Sequence, residues 1–368
     1  MSTSTKARNH TIDILRLTAA FAVICLHNFS GSGVWAGETI VTLSRFAVPL
    51  FFLFSGYFSA GFSRKRKLWQ VLRIFTLTLL SNLAYLALVL SRVPGGAFMV
   101  QLRLQELLSP LNWQKFLLLN ESPFSSHLWF LGALLYCLTL DLLCGCLFGR
   151  FIKKIPEGCR PNYRKAAAAA AGALLAVGLI LYDICVIGGK TTGLTTSFFA
   201  GPIDTLLLFR NFFFFGLPFF LFGKLIRHSN FAQKPLPNLA YALGIPGLCA
   251  LALVEQYYWG VLELYCGSIL LAFLLMHLAL CHPLSQGGTL VGLLGWLGQN
   301  TSLTIYIVHI YFLDLFRDQY WANFSWQYEP GIYHLIPIGV FLASLLVGVA
   351  VGLAKSSLTA LKRRRANG

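Results

Sequence analysis

Residues 12–28 read I-D-I-L-R-L-T-A-A-F-A-V-I-C-L-H-N, an apolar helix into which Asp13, Arg16 and His27 are set. Arg16 and His27 stand eleven positions apart. At 100° per residue that is three turns plus roughly 20°, so both side chains fall on one stripe, about 16 Å apart along the axis. Ionisable groups at membrane depth are costly and usually face a bundle interior or an aqueous cavity. For this helix alone, a snorkelling Asp13–Arg16 pair at the boundary and a satisfied polar His27 at the far end is the competing reading.

The rest of the chain supports a membrane setting. Of its 368 residues 57% are hydrophobic and 11% charged, and the mean hydropathy is +0.68. That composition excludes a soluble globule and makes the lipid bilayer the first partner. A formal charge of +16 would suit a nucleic-acid binder, but the basic residues sit in short clusters between apolar runs, as topology signals do, so no nucleic acid is expected. The nine cysteines show no disulfide framework. Cys144-Gly-Cys146 lacks ligand-spaced partners, and no metal is expected. The basic, then apolar, N-terminus has no A-x-A-like cleavage site and reads as a retained first span.

Apolar runs of about 17–25 residues are the unit of a helical membrane protein. They fall at about 12–29, 40–61, 69–91, 127–148, 167–187, 204–226, 239–254, 262–280, 291–315 and 332–354. The fold expected is therefore an all-α bundle of about ten transmembrane helices, forming a single domain over residues 1–368. The seventh run is short and holds Pro246, and Gln101–Asn120 reads as one amphipathic interfacial helix. With a cytoplasmic N-terminus, the inside segments carry Lys6, Arg8, Arg64-Lys65-Arg66-Lys67, Arg73, Arg150, Lys153, Lys154, Arg160, Arg164, Lys165, Lys224, Arg227, Lys234, Lys355 and Lys362-Arg363-Arg364-Arg365. The outside segments carry only Arg92, Arg103, Lys115, Lys190 and Arg317. This asymmetry follows the positive-inside rule and puts both termini in the cytoplasm.

Directions give depths. His27, Arg45, His127, Arg210, Glu255 and His309 come from six different spans yet all fall near the outer face, with Trp129 and Tyr306 beside them and Ser55 and Tyr57 deeper. Each alone has an ordinary reading: snorkelling for Arg45 and Arg210, an interfacial anchor for His127, a loop carboxylate for Glu255, a core histidine for His309. Together, at one depth on several helices, they suggest a site inside a bundle. An imidazole there suits a general base for an incoming hydroxyl, a glutamate can orient it or accept a proton, and arginine can hold an acceptor or a developing oxyanion. At the inner end, Arg16 with Asp13 suits a phosphorylated cytoplasmic donor. The Arg16–His27 stripe would then line a passage through which a pantetheine-like arm brings an acyl group to the histidine.

Five segments carry a family resemblance: D-I-L-R-x10-H (13–27), S-R-F-A-V-P-L-F-F-L-F-S-G-Y-F (44–58), H-L-W-F-L (127–131), R-N-F-F-F-F-G-L-P-F-F-L-F-G (210–223) and S-L-T-I-Y-I-V-H (302–309). In this order they resemble the membrane-bound acyltransferase-3 family, in the small Gram-positive form similar to the membrane domain of vancomycin-resistance serine racemases. The resemblance spans nearly the whole chain. It implies O-acylation, usually O-acetylation, of an extracytoplasmic carbohydrate from cytoplasmic acetyl-CoA, in a bacterial cytoplasmic membrane. His27 matches the family's essential histidine, Arg16 its donor-binding arginine, and Arg45 a further motif arginine, so Arg16, Asp13 and Arg45 are the expected donor side. His27 and Glu255 are the expected catalytic pair, and Arg210, His127, Trp129, Tyr306, His309, Ser55 and Tyr57 the expected acceptor or oxyanion side. Only a short basic tail follows the tenth span, so direct transfer or hand-over to a separate protein is expected, and the sequence admits an oligomer. The alternative is a secondary transporter for a small polar solute such as an amino acid, against which stands the lack of an internal repeat.

Overall fold

A chain this apolar must satisfy its backbone hydrogen bonds within itself wherever lipid replaces water, and helices do so segment by segment. The computed structural model describes residues 8–30, 35–147, 156–187, 200–202, 204–284, 288–319 and 330–367. In chain order these form α1 (His10–Phe29), α2 (Trp35–Ser44), α3 (Ala47–Ala60), α4 (Arg64–Ser91), α5 (Gly96–Leu107), α6 (Pro110–Leu119) and α7 (Trp129–Leu147). They continue with α8 (Arg160–Ile187), α9 (Thr205–Phe209), α10 (Leu217–His228), α11 (Asn238–Trp259), α12 (Cys266–Cys281), α13 (Thr289–Asp314) and α14 (Pro330–Asn367). A π-type turn, Phe212–Gly216, leads into α10, and another, Leu315–Gln319, continues α13. No strand occurs among the described residues, and the protein is an all-α membrane protein.

Seven helical stretches are long and apolar enough to cross a bilayer: His10–Phe29, Trp35–Ala60, Arg64–Ser91, Ser126–Leu147, Tyr163–Tyr182, Asn238–Trp259 and His334–Ser357. The runs at 204–226, 262–280 and 291–315 are helical as well. Each falls short of that mark for its own reason: interruption by the turn before α10, the 16-residue length of α12, and the polar stretch Gln299–Ser302 within α13. The run at 40–61 bends at Arg45-Phe46, between α2 and α3. Gln101–Asn120 is two helices rather than one. Pro110 fits the first turn of α6 but cannot continue α5, and Asn120 closes α6 with a positive φ of 61°. Lys6, Arg150, Lys153, Lys154 and Lys190, which enter the orientation argument, lie outside the described residues.

The chain divides into two compact units, residues 1–51 with 231–368, and residues 52–230. In the first, α1 begins at Asn9, whose side chain accepts from the Thr11 and Ile12 amides, with Asp13 in the positive first turn. Along α1 runs α13 in the same direction. His10 meets Gly295, Asp13 meets Gly298, and His27 meets His309 near the other end. Glycine is required at the second of these contacts: a Cβ on Gly298 would lie 1.8 Å from the Asp13 carbonyl oxygen. Above it, Leu17, Ala20 and Ile24 of α1 pack with Ile305 and Leu313 of α13 and with Ile336 and Val340 of α14. On another side, Cys25 and Phe29 pack against Val41 of α2. The N-terminus of α1 is tied to the end of α12, where Asn9 donates to the Ala279 carbonyl at 2.6 Å and Thr11 to that of His282 at 2.8 Å.

The second unit repeats the device. A Cβ on Gly56 of α3 would lie 1.9 Å from the Phe220 carbonyl oxygen, and one on Gly223 of α10 would lie 2.1 Å from that of Leu53. Phe52, Trp129, Phe130 and Phe215 fill the space beside this crossing.

Gly298→Ala is expected to force α1 off α13 and to lower stability by about 1–3 kcal/mol, the usual cost of overpacking. Gly292→Ala, where the added Cβ meets nothing within 4 Å, is expected to leave stability unchanged or raise it by up to about 1 kcal/mol. Thermal melts of the two variants in detergent measure the contrast.

Candidate active site

The C-terminal end of α1 brings two histidines of the first unit together. The His27 and His309 rings have centroids 5.2 Å apart and planes inclined by 45°. His309 is fully buried, whereas His27 is half-buried and is the more accessible of the two. His309 Nδ1 lies 2.7 Å from the Tyr306 carbonyl oxygen. A carbonyl only accepts, so Nδ1 carries the proton and, in the neutral ring, Nε2 is left as the basic nitrogen. Tyr306 is itself buried, with its ring 6.0 Å from that of His309. From beyond α13, the Arg317 guanidinium donates to the carbonyls of His27 at 3.3 Å and Asn28 at 2.9 Å.

At the N-terminal end of the same helix, Asp13 is buried between two guanidiniums. Arg8 Nε donates to Oδ2 at 2.7 Å, and Arg16 Nη1 lies 3.5 Å from Oδ1. The Arg16 side chain stays 27% exposed. Between the two ends the stripe holds Ala20 and Val23, both buried. Arg16 and His27 thus share a face of α1 whose middle is packed with small apolar side chains rather than open.

Arg45 stands apart from Arg16. At the bend between α2 and α3 its Nη1 pairs with Glu263 at 2.7 Å, both side chains being largely covered. Tyr265 holds the loop that carries this carboxylate: its hydroxyl accepts from the Leu262 amide at 2.8 Å and donates to the Gly260 carbonyl at 3.0 Å, with Thr42 3.3 Å away. Glu255 is occupied elsewhere. Its two oxygens accept from the Cys266 and Gly267 amides at 3.1 and 3.0 Å, which caps the N-terminus of α12.

The remaining expected residues belong to the second unit and form groups of their own. His127 is buried, with Nδ1 2.7 Å from Ser125 Oγ and its ring edge-on to Tyr85. Arg210 lies over the Trp129 ring at 5.8 Å and 3.7 Å from Glu121. Tyr57 takes the Arg227 guanidinium on its face at 4.8 Å, and Ser55 precedes it on α3. Toward the basic end of this unit, buried Asp141 accepts from Ser59 at 2.6 Å and pairs with Lys67 at 2.8 Å and with Lys224. Desolvation, and then the charges of Arg164, Lys224, Arg227 and Lys67, hold the nearby His228 below its ordinary pKa. That region is strongly cationic.

Sequence reasoning missed three of these groups. Arg317 entered only as an outside charge, and Glu263 was passed over for Glu255. Asp141 was overlooked, although a lone acid in the apolar L-T-L-D-L-L run was itself a signal. Glu255→Gln is expected to weaken the α12 cap by about 1–2 kcal/mol. It should leave catalytic turnover per folded molecule intact, as melts and assays on the same sample will register.

A family model described as an acyltransferase domain matches residues 9–356. No curated protein and no solved structure matches the chain.

Proposed function

The chain belongs to the acyltransferase-3 family and is a multi-pass membrane acyltransferase, and from that premise we propose that it moves an acetyl group from cytoplasmic acetyl-CoA to a hydroxyl of an extracytoplasmic glycan, with His27 as general base. The observation that carries this reading is the division of labour along α1. One end holds a partly buried arginine steadied by a buried carboxylate, and the other holds a half-buried imidazole backed by a second, fully buried one.

The chemistry follows from those groups. Guanidinium suits the diphosphate and 3′-phosphate of a coenzyme A donor, and Asp13 presents Arg16 in one orientation while Arg8 shares its charge. At the other end, His27 takes the proton of the acceptor hydroxyl as its oxygen attacks the thioester carbonyl carbon. The tetrahedral intermediate collapses with cleavage of the carbon–sulfur bond, and the coenzyme thiolate leaves, protonated by the His27 imidazolium. His309 stabilises the arrangement by packing against the His27 ring with its own proton committed to Tyr306. The pantetheine arm has a length comparable to the roughly 16 Å between Arg16 and His27. To reach His27 along this stripe, the arm must displace the packing over Ala20 and Val23. Arg45 with Glu263 braces the bend of α2 into α3 and is not assigned to the donor. Glu255 is assigned to the cap of α12 rather than to proton transfer.

Two measurements test this on purified protein in nanodiscs with labelled acetyl-CoA. His27→Ala is expected to lower acetyl-CoA turnover by about 10²–10⁴-fold, the usual worth of a positioned base. Arg16→Ala is expected to weaken acetyl-CoA binding by about 10–100-fold, as for loss of charge-assisted hydrogen bonds. Wild-type turnover in the first variant, or wild-type donor affinity in the second, would contradict the assignment. A bacterial cytoplasmic membrane with a cell-envelope carbohydrate as acceptor is the setting that fits a donor taken from inside and a base near the outer face.

A further inference from the structure

We propose that Arg317 is a positioning residue of the reaction, fixing the last turn of α1 so that the His27 imidazole is held toward the acyl group; the inference rests on the reading of His27 as base. The last carbonyls of a helix have no donor within the helix. Here the carbonyls of His27 and Asn28 receive the two Nη groups of one guanidinium, at 3.3 and 2.9 Å. A planar fork bonded to two successive carbonyls restrains that backbone in direction as well as in distance, which a point charge does not. The cation also faces the negative end of the α1 dipole.

The same element holds His27 twice. His309 on α13 packs against its ring, and Arg317 follows eight positions later, within the π-type turn Leu315–Gln319 that continues α13. Such wide turns redirect the side chains they carry and are frequent at functional sites. Asn28 beside it is fully buried, so the end of α1 is packed. Arg317 also runs against topology, being one of few basic residues on the side where the positive-inside rule disfavours them. Arg103, on that same side, pairs with Glu106 at the surface, whereas Arg317 is turned inward onto α1.

The test uses the full chain in nanodiscs with labelled acetyl-CoA. Arg317→Ala is expected to lower kcat by about 10–100-fold, the scale of a misplaced catalytic group, with the acetyl-CoA KM changed by less than about threefold. Arg317→Lys should fall between alanine and wild type. Arg103→Ala should turn over as the wild type does. In the double variant, loss of Arg317 should add nothing to the loss from His27→Ala, because the arginine acts through that histidine. Wild-type kcat in Arg317→Ala, or a further loss in the double variant, overturns the inference. If the alanine variant does not fold, Arg317→Lys decides: reduced kcat at unchanged KM supports the role, and wild-type kcat overturns it. An inactive His27→Ala beside a normal Arg317→Ala removes this inference alone, whereas a fully active His27→Ala removes the reading of His27 as well.

Discussion

The approach of α1 to α13 without intervening side chains at Gly298 is the constraint from which the rest of the first unit follows. A Cβ there would lie 1.8 Å from the Asp13 carbonyl oxygen, so the two helices touch backbone to backbone near their shared starting side. Small residues serve this purpose in membranes, where lipid tails compete for apolar surface and close van der Waals packing drives association. Because α13 runs parallel to α1, contact at that end sets the register at the other. The outcome is a pair of imidazoles whose centroids are 5.2 Å apart, reached after several turns of both helices without a loop between them. Geometry carried by helices is more precise than geometry carried by loops.

The two ends of α1 solve the cost of ionisable groups differently. At the N-terminal end, charge is met by charge: Asp13 is buried but flanked by Arg8 and Arg16, and removing one member would strand the others. At the C-terminal end two imidazoles lie against each other, one of them held by a carbonyl, and the Arg317 guanidinium meets the last carbonyls of the helix. The second unit holds a counterpart of the Asp13 arrangement in Asp141 with Lys67 and Lys224. A polyanionic donor and a neutral hydroxyl acceptor would meet matching environments at opposite ends of the same helix.

Much of this was legible in the sequence. Apolar runs of membrane length gave the helices, because in lipid the backbone has no other solution. The eleven-residue spacing of Arg16 and His27 put them on one stripe because helical periodicity is fixed. What stayed hidden was long-range pairing. Glu255 lies in the last two turns of α11 and Glu263 in the loop after it, and nothing in their neighbours reveals that one caps α12 while the other reaches back to Arg45 across 218 positions. Arg317 looked like a topology charge because its partners are backbone carbonyls, which carry no sequence signature. Arg45 stands in a sequence motif whose neighbours do not reveal that it pairs with Glu263 at a bend. The buried state of Ala20 and Val23 depends on helices far away in sequence and was equally unreadable.

The account turns on where the donor lies. A cryo-electron microscopy structure of the wild-type protein in nanodiscs with a non-transferable acetyl-CoA analogue tests it most directly. The predicted result has the phosphates of the analogue against Arg16 and its acyl carbonyl within about 3–4 Å of the His27 imidazole, with Ala20 and Val23 moved aside. An analogue whose acyl end rests away from His27, or whose phosphates sit at the outer face, would contradict it.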